Sequence, residues 1–207
     1  MQKNIQTELL LFQEFKKNYH FVQKEIENVN GKAYCDSFPL EDEENNLVPF
    51  SESWINVGYM LKNSLSKALS NLFPYEFDFR GQHLHSLESF FQGIKFPDAK
   101  VQRYVFPYYG VNAYHIQATS DYDWKKTGYL YWQGEKINRY DTAYDNLVDE
   151  VYISALQNPL YRQALKKADR YILHSIGKEN KSDSVFTRYE FEKQLNCLVA
   201  FLKQTEE

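Results

Sequence analysis

One segment of the sequence carries both a start signal and a stop signal for a helix, and it constrains the fold more than any other. Ser86 is a residue type that favours a helix N-cap, where its hydroxyl accepts a hydrogen bond from a backbone N–H of the first turn. Pro97 cannot continue a helix, so it stops the pattern. The segment therefore predicts a short helix from Leu87 to about Phe96.

The polar side chains of this predicted helix fall in one row. Glu88, Gln92 and Lys95 are spaced i, i+4 and i+7, which places them one above another on a single helix face. A carboxylate, an amide and an amine suit cleavage of a glycosidic bond, which needs one group for proton transfer and another that holds or traps the sugar. A polar row is more often the solvent face of an amphipathic helix, so the spacing alone leaves both interpretations open.

The other patterns predict short helices and short strands. A length of 207 residues suits one substantial domain. Apolar periodicity and capping residues predict helices over residues 5–29, 54–72, 142–156 and 159–168 and from Thr187 onward. Short strands are expected between residues 73 and 85, broken by Arg80-Gly81, and a hairpin is expected from residues 128–132 and 136–139.

Two regions of the sequence are not predicted to be regular. Residues 36–52 contain an acidic run and two prolines, which indicates a solvated connection. Residues 101–133 are rich in tyrosine and are expected to be irregular, with strand-like pieces. These tyrosines can form a base-stacking surface or simply pack the core and its rim, and packing is the commoner use. We divide the chain into an N-terminal helical extension with an acidic loop, residues 1–60, and a main domain, residues 61–207.

The charge is unevenly distributed along the chain. The net charge is −4, and residues 1–60 hold five lysines and ten acidic residues, so the remainder carries +1. A near-neutral main domain argues against extended duplex binding, which depends on many phosphate contacts, and favours a small molecule or one modified base. No apolar stretch approaches the roughly 18 residues that a membrane span needs, and two cysteines without CxxC spacing indicate a reducing compartment. We therefore expect a cytoplasmic protein that does not bind membranes.

Two motifs near the predicted helix resemble a known family. The segment ALSNLFP at residues 68–74 is followed by SLESFFQGIKF at residues 86–96. This order is similar to the pattern LSNF(Y/F)P and (S/T)xEHxxQxxKF of the NADAR (YbiA-like) N-glycosidases. The segments WQGEKINR at residues 132–139 and ALQNPLYRQAL at residues 155–165 are similar to later parts of the family pattern. The resemblance covers about residues 65–202.

The resemblance implies a fold, an activity and a set of site residues. The fold would be α+β, a mostly helical compact single domain with a small β-sheet, and the activity would be hydrolysis of an N-glycosidic bond to ribose. The substrate would be a riboflavin-pathway intermediate or ADP-ribosylated guanine, free or within a modified nucleic acid. Glu88 would be the catalytic glutamate, and Lys95 would capture the sugar as a Schiff base, which requires a partly deprotonated and therefore partly buried amine. The implied substrate-binding residues are Asn71, Gln92, Trp132, Arg139, Tyr144 and His174.

Departures from the family pattern leave other hypotheses open. The family histidine after the glutamate is Ser89 here, its tryptophan is absent from Tyr140-Asp141-Thr142, and its later aspartate has no clear counterpart in residues 175–180. A non-catalytic ADP-ribose or nucleotide-binding module is therefore an alternative. A third hypothesis is that residues 1–60 dock a partner. No cofactor is implied, and a metal site at His83 and His85 would need further ligands that the sequence does not show nearby.

Overall fold

Short helices dominate the structure, because capping residues, prolines and glycines interrupt the amphipathic segments. The computed structural model describes residues 4–24, 54–61, 63–116 and 123–206. The helices are α1 (Ile5–Asn18), α2 (Ser64–Ala68), α3 (Leu87–Gly93), α4 (Ala99–Val105), α5 (Gly110–His115), α6 (Trp124–Thr127), α7 (Thr142–Ala155), α8 (Pro159–Lys167) and α9 (Arg188–Glu206). The strands are β1 (Trp54–Asn56), β2 (Phe77–Phe79), β3 (Gln82–Leu84), β4 (Tyr129–Trp132), β5 (Glu135–Asn138) and β6 (Tyr171–Leu173). The predicted mixed α+β class is confirmed.

The described strands pair two at a time. β2 and β3 form one antiparallel hairpin, and β4 and β5 form another. Both turns use two residues with positive φ, at 45° and 76° for Arg80-Gly81 and at 50° and 91° for Gln133-Gly134. Such turns match the twist of the flanking strands, and a glycine takes up the second position without a Cβ clash. Both predicted hairpin regions are confirmed, whereas the parallel pair β1–β6 was not predicted.

The core lies where α7 meets helices from both ends of the chain. α1 packs against α7 and α9, α3 packs against α4, α5 and α7, and β2 also contacts α7. Phe12 of α1 is fully buried and meets Phe201 of α9 edge-to-face at a ring distance of 5.4 Å. On α3, Phe90 and Phe91 are buried on the core side. This packing fixes α3 from several directions, so its polar row has a defined position.

Two of the predicted helices are wrong in extent. The predicted helix over residues 5–29 ends at Asn18, and Tyr19 is extended. Phe21 lies beyond the end of the helix, where its ring stacks on Tyr171 at 6.1 Å and meets the Tyr189 ring at 5.5 Å. The remainder of that prediction, its end at Asn30-Gly31 and the connection at residues 36–52 lie outside the described residues.

The predicted helix over residues 54–72 is also wrong. Residues 54–56 form strand β1 because Ile55 and its neighbours pair with β6, a partner that periodicity cannot reveal. The helix α2 begins only at Ser64, where the Asn63 side chain accepts hydrogen bonds from the N–H groups of Leu65 and Ser66 at 3.0 Å.

The tyrosine-rich region is helical where strand-like pieces were predicted. Residues 99–105 form α4, capped by the Asp98 side chain, and residues 110–115 form α5. The predicted caps elsewhere are confirmed: Pro159 begins α8, and Thr187 and Glu190 exchange the hydrogen bonds of a capping box before α9. The helices in the described ranges include none long and apolar enough to cross a bilayer. The division of the chain at residue 60 stays a prediction.

Candidate functional site

The N-terminus of α3 is tied to the turn that precedes the first hairpin. The Ser86 hydroxyl accepts a hydrogen bond from the Ser89 N–H at 3.0 Å, which confirms the predicted N-cap. The same hydroxyl donates to the Tyr108 carbonyl at 3.1 Å. The Glu88 N–H, one of the N–H groups that a helix start leaves unpaired, donates to the Asn71 carbonyl at 2.8 Å. These bonds bring Asn71 next to Glu88.

A continuous hydrogen-bonded row joins Glu88 and Gln92 of α3 to Lys95. The helix ends at Gly93 and not at about Phe96 as predicted, so Lys95 lies in the turn that follows α3. Gln92 Nε2 donates to Glu88 Oε1 at 2.6 Å, and Lys95 Nζ donates to Gln92 Oε1 at 2.7 Å. Gln92 is 3% exposed and Lys95 is 6% exposed, while Glu88 is half-buried. The row is therefore not a solvent face of α3. We call Glu88, Gln92 and Lys95 the α3 row.

Burial moves the pKa values of both ionisable groups of the α3 row toward their neutral forms. The pKa of Glu88 is raised by loss of solvent, against the opposing effects of the Gln92 hydrogen bond and the Lys95 charge. Burial lowers the pKa of Lys95 to about 8, against the attraction of Glu88 and with help from the charges of Lys125 and Lys178. About one Lys95 in ten is then a neutral amine at pH 7.

Tyr152 is a neighbour of the α3 row that the sequence analysis missed. Its hydroxyl donates to Asn71 Oδ1 at 2.7 Å, and its side chain is fully buried on α7. The one sequence signal is the i, i+4, i+8 spacing of Tyr144, Val148 and Tyr152, which places Tyr152 on the same helix face as the predicted Tyr144. Asn71 and Gln92 are thus the two predicted substrate-binding residues that the structure brings to Glu88.

Arg139 and Tyr144 lie in a separate buried network. The Arg139 guanidinium is fully buried and binds the Glu190 carboxylate through two hydrogen bonds of 2.9 and 2.5 Å. It also donates to the Ser184 carbonyl and lies 4.5 Å over the Tyr144 ring. The Tyr144 hydroxyl donates to the Val185 carbonyl. No hydrogen bond joins Arg139 or Tyr144 to the α3 row, so their assignment to substrate binding stays a prediction without a supporting contact.

Trp132 and His174 are also held by contacts of their own. Trp132 is 3% exposed and packs against Phe79, Phe90 and Phe106 at ring distances of 4.8, 5.7 and 5.4 Å. His174 Nδ1 lies 3.1 Å from the Val57 carbonyl, so Nδ1 carries the proton of the neutral ring. Burial lowers the pKa of His174. Trp132 extends the aromatic core beneath α3, and His174 ties the end of β6 to the end of β1.

Two further features lie outside the α3 row, a histidine–aspartate pair and a cavity. His83 Nδ1 lies 2.8 Å from Asp78 Oδ1, but in the described part of the chain no three His, Cys, Asp or Glu side chains converge to hold a metal ion. A cavity of about 210 Å³ lies between α1, α7 and α9. Its wall includes Lys16, which binds Asp149 and also donates to Gln194 Oε1 at 2.7 Å. Internal pairing therefore accounts for much of the charge along this cavity.

Comparison with known proteins gives one family and one relative. The family model that matches is that of bacteriophage protein GP30.3, over residues 63–200. An uncharacterized 17.1 kDa protein in the Gp30–rIII intergenic region of enterobacteria phage T4 is 35% identical over 137 residues. The match covers 64% of this chain and 89% of the phage protein. No solved structure matches the chain.

These matches overturn the resemblance to the NADAR N-glycosidases. The two short motifs at residues 68–74 and 86–96 suggested that family, but the model that matches most of the chain is a different one. Seven-residue and eleven-residue segments around a capped helix can agree by the demands of local structure alone, so they carried too little information to assign a family. NADAR or YbiA-like membership is therefore wrong, and no role passes to Glu88 or Lys95 by descent from it. The chain belongs to the bacteriophage protein GP30.3 family.

Proposed function

We propose that the chain is an N-glycosidase that hydrolyses the bond between ribose and a base in a ribosyl or ADP-ribosyl nucleotide, at the α3 row. The observation that supports this proposal is the continuous row itself. Gln92 connects a carboxyl and an amine by hydrogen bonds of 2.6 and 2.7 Å. Burial favours the carboxylic acid of Glu88 and the free amine of Lys95. These are the forms that a general acid and an amine nucleophile require.

The proposed reaction proceeds in two stages. In the first, Glu88 gives its proton to the departing base nitrogen, the bond from that nitrogen to the ribose anomeric carbon breaks, and Lys95 Nζ forms a bond to that carbon. Nζ loses a proton to the Glu88 carboxylate, which passes it to the ring oxygen as the bond from that oxygen to the anomeric carbon breaks, so that the open sugar is held as a protonated imine on Lys95. In the second stage, water adds to the imine carbon and gives up a proton to the Glu88 carboxylate, the carbon–Nζ bond breaks, and the sugar leaves as an aldehyde that keeps the water oxygen, with Glu88 again protonated and Lys95 a free amine. In both stages, the hydrogen bonds of Gln92 keep the Glu88 carboxyl and Lys95 Nζ in fixed relative positions.

The alternative is a non-catalytic nucleotide-binding module. A lysine that only binds phosphate gains from remaining fully charged, whereas burial lowers the pKa of Lys95 to about 8. That direction favours chemistry over simple anion binding. The substrate is proposed to be a free nucleotide or a single ADP-ribosylated base, because the near-neutral main domain does not suit an extended duplex. We propose the cytoplasm as the compartment, since the two cysteines show no disulfide spacing and Cys197 is a buried free thiol.

Product analysis distinguishes the two functions. The protein is incubated with ADP-ribosylated guanosine, nicotinamide adenine dinucleotide and riboflavin-pathway intermediates, and the products are separated by liquid chromatography. The enzyme hypothesis expects release of a free base. Glu88→Gln and Lys95→Ala should each lower this release by about 100-fold or more, the range expected when a proton-transfer group is lost, while binding is retained. Lys100→Ala, which changes an exposed lysine on the neighbouring α4, is the matched control and should leave the rate unchanged.

Two results would contradict the mechanism. Full activity in both the Glu88 and Lys95 variants would exclude the α3 row as the site of chemistry. Binding of the nucleotides without base release from any of them would support the non-catalytic module. The covalent step has its own assay, because borohydride should reduce the imine and leave a ribose adduct on Lys95 that mass spectrometry can locate.

A further inference from the structure

We infer that Tyr152 is a positioning residue that fixes the side-chain amide of Asn71, so that Asn71 Nδ2 is presented as a hydrogen-bond donor to a sugar oxygen of the substrate. The inference rests on the proposed function for its ligand. Its structural part, the fixed amide, stands on contacts within the chain. Tyr152 belongs to α7, far along the sequence from the Asn71 turn and from α3.

The backbone of Asn71 is held against the start of α3. Its carbonyl accepts the Glu88 N–H at 2.8 Å, and the next residue, Leu72, accepts the Gly110 N–H through its own carbonyl at 2.8 Å. The Ser70 hydroxyl accepts the Leu72 N–H at 3.3 Å. The turn therefore cannot move without disturbing both α3 and α5, and the Asn71 side chain starts from a fixed point at the backbone of Glu88.

The Tyr152 hydroxyl decides which way the Asn71 amide faces. Tyr152 is fully buried, and Asn71 Oδ1 at 2.7 Å is the acceptor of its proton among the described residues. If the amide were turned over, Nδ2 would face the hydroxyl and the buried O–H would lose its acceptor, which is costly. Oδ1 is therefore held toward Tyr152, and Nδ2 must face the opposite side. Asn71 is half-buried, and its Nδ2 is not one of the fully buried polar atoms that lack a partner, so a ligand can reach it.

Asn71 Nδ2 and Glu88 together present a donor beside an acid. Glu88 Oε1 is occupied by Gln92, whereas Glu88 Oε2 accepts no hydrogen bond from the described part of the chain. Burial is the main cause of the raised pKa of Tyr152, and a negative charge on Glu88 adds a minor contribution in the same direction. A ribose oxygen that accepts from Asn71 Nδ2 would place the sugar next to Glu88 Oε2, the atom free to give a proton to the departing base.

A double-mutant cycle tests whether Tyr152 acts through Asn71. Tyr152→Phe, Asn71→Ala and the double variant are compared with the unaltered chain in the base-release assay. Tyr152→Phe should lower kcat/KM about tenfold, the effect of one lost hydrogen bond, and should add nothing further in the Asn71→Ala background. The matched control is Tyr161→Phe, because Tyr161 is equally buried but its hydroxyl has no hydrogen-bond partner among the residues that the structure describes. That control should keep its full kcat/KM.

Fully multiplicative effects of Tyr152→Phe and Asn71→Ala, or an equal loss in Tyr161→Phe, would show that Tyr152 acts by packing alone.

A second measurement separates this inference from the proposed reaction. The side-chain NH₂ signals of Asn71 in a ¹⁵N–¹H spectrum are assigned by their absence in Asn71→Ala. Tyr152→Phe should shift them and speed the exchange between the two protons, and Tyr161→Phe should not. Unchanged Asn71 signals in Tyr152→Phe would overturn the inference even if base release is observed. Shifted signals with no base release from the unaltered chain would refute the reaction and retain the fixed amide.

Discussion

Lys95 should destabilise the folded protein at neutral pH, and Lys95→Met should remove that cost. Lys95 is 6% exposed, and its pKa is about 8 instead of the ordinary 10.5. The unfolded chain therefore holds this proton more tightly than the folded chain. Above pH 10.5, Lys95 is neutral in both states and does not lower the free energy of unfolding. The loss of stability develops as the pH falls from 10.5 to about 8 and is complete below that pH. At about 1.4 kcal/mol per pH unit, the difference amounts to about 3 kcal/mol of unfolding free energy at pH 7.

The Lys95→Met variant should recover most of this free energy of unfolding. Lys95→Met also removes the hydrogen bond to Gln92 Oε1, which costs about 1 kcal/mol, so the net gain at pH 7 should be about 2 kcal/mol. As the pH rises from 7 to 9.5, the unaltered chain should recover about 2 kcal/mol relative to the variant, because Lys95 then gives up its proton in the folded state. The difference between the two proteins should accordingly shrink toward zero.

Urea denaturation followed by tryptophan fluorescence measures this difference at each pH. Tyrosines and other groups that titrate in the same range contribute to both proteins and cancel in the comparison. Lys100→Met, at an exposed position on α4, is the control and should stay within about 0.5 kcal/mol of the unaltered chain at every pH. A Lys95→Met variant that is less stable at pH 7, with a deficit independent of pH, would refute the argument that burial lowers this pKa.

Two further substitutions test the packing around the site, each by urea denaturation. Arg139→Met leaves the Glu190 carboxylate without its buried partner and should cost about 3–5 kcal/mol, whereas a loss below about 1 kcal/mol would mean that the pair is solvated. Gly93→Ala places a Cβ 2.6 Å from Phe106 Cε1 and should cost about 1–3 kcal/mol by overpacking the contact between α3 and α4. The same change at Gly81 meets no neighbouring atom but is strained by its positive φ, so only Gly93→Ala should alter the environment of the Phe106 ring in an NMR spectrum.

The parts of the fold that were predictable are those whose causes are local. The start of α3 follows from Ser86, although the helix ends at Gly93, before the stop expected from Pro97. The hairpin turns follow from pairs such as Gln133-Gly134 with positive φ. The strand β1 was missed because Trp54-Ile55-Asn56 suits a helix or a strand equally well. Its choice is made by β6, which lies beyond the reach of any local pattern.

In the candidate site, too, the features with local causes were predictable and the others were not. The order of Glu88, Gln92 and Lys95 follows from helix geometry, but their burial depends on how α3 packs against α4, α5 and α7. The role of Arg139 could not be predicted, because the sequence does not show that its guanidinium binds Glu190, which lies 51 residues away. Family assignment from short motifs fails for a related reason. A capped helix beside a turn is a common local structure, so a shared motif of this kind does not show common descent.

The parallel pairing of β1 with β6 has a consequence for synthesis of the chain. Trp54 lies opposite Tyr171, so the partner of β1 is translated 117 residues later. At about 5–20 residues per second, that interval is about 6–23 s. During it, the nascent chain carries α3 and its buried row without the sheet pair or the α9 packing that closes the core. A translation pause placed between β1 and β6 should therefore lower the yield of folded protein, because it lengthens the time for which β1 has no strand partner.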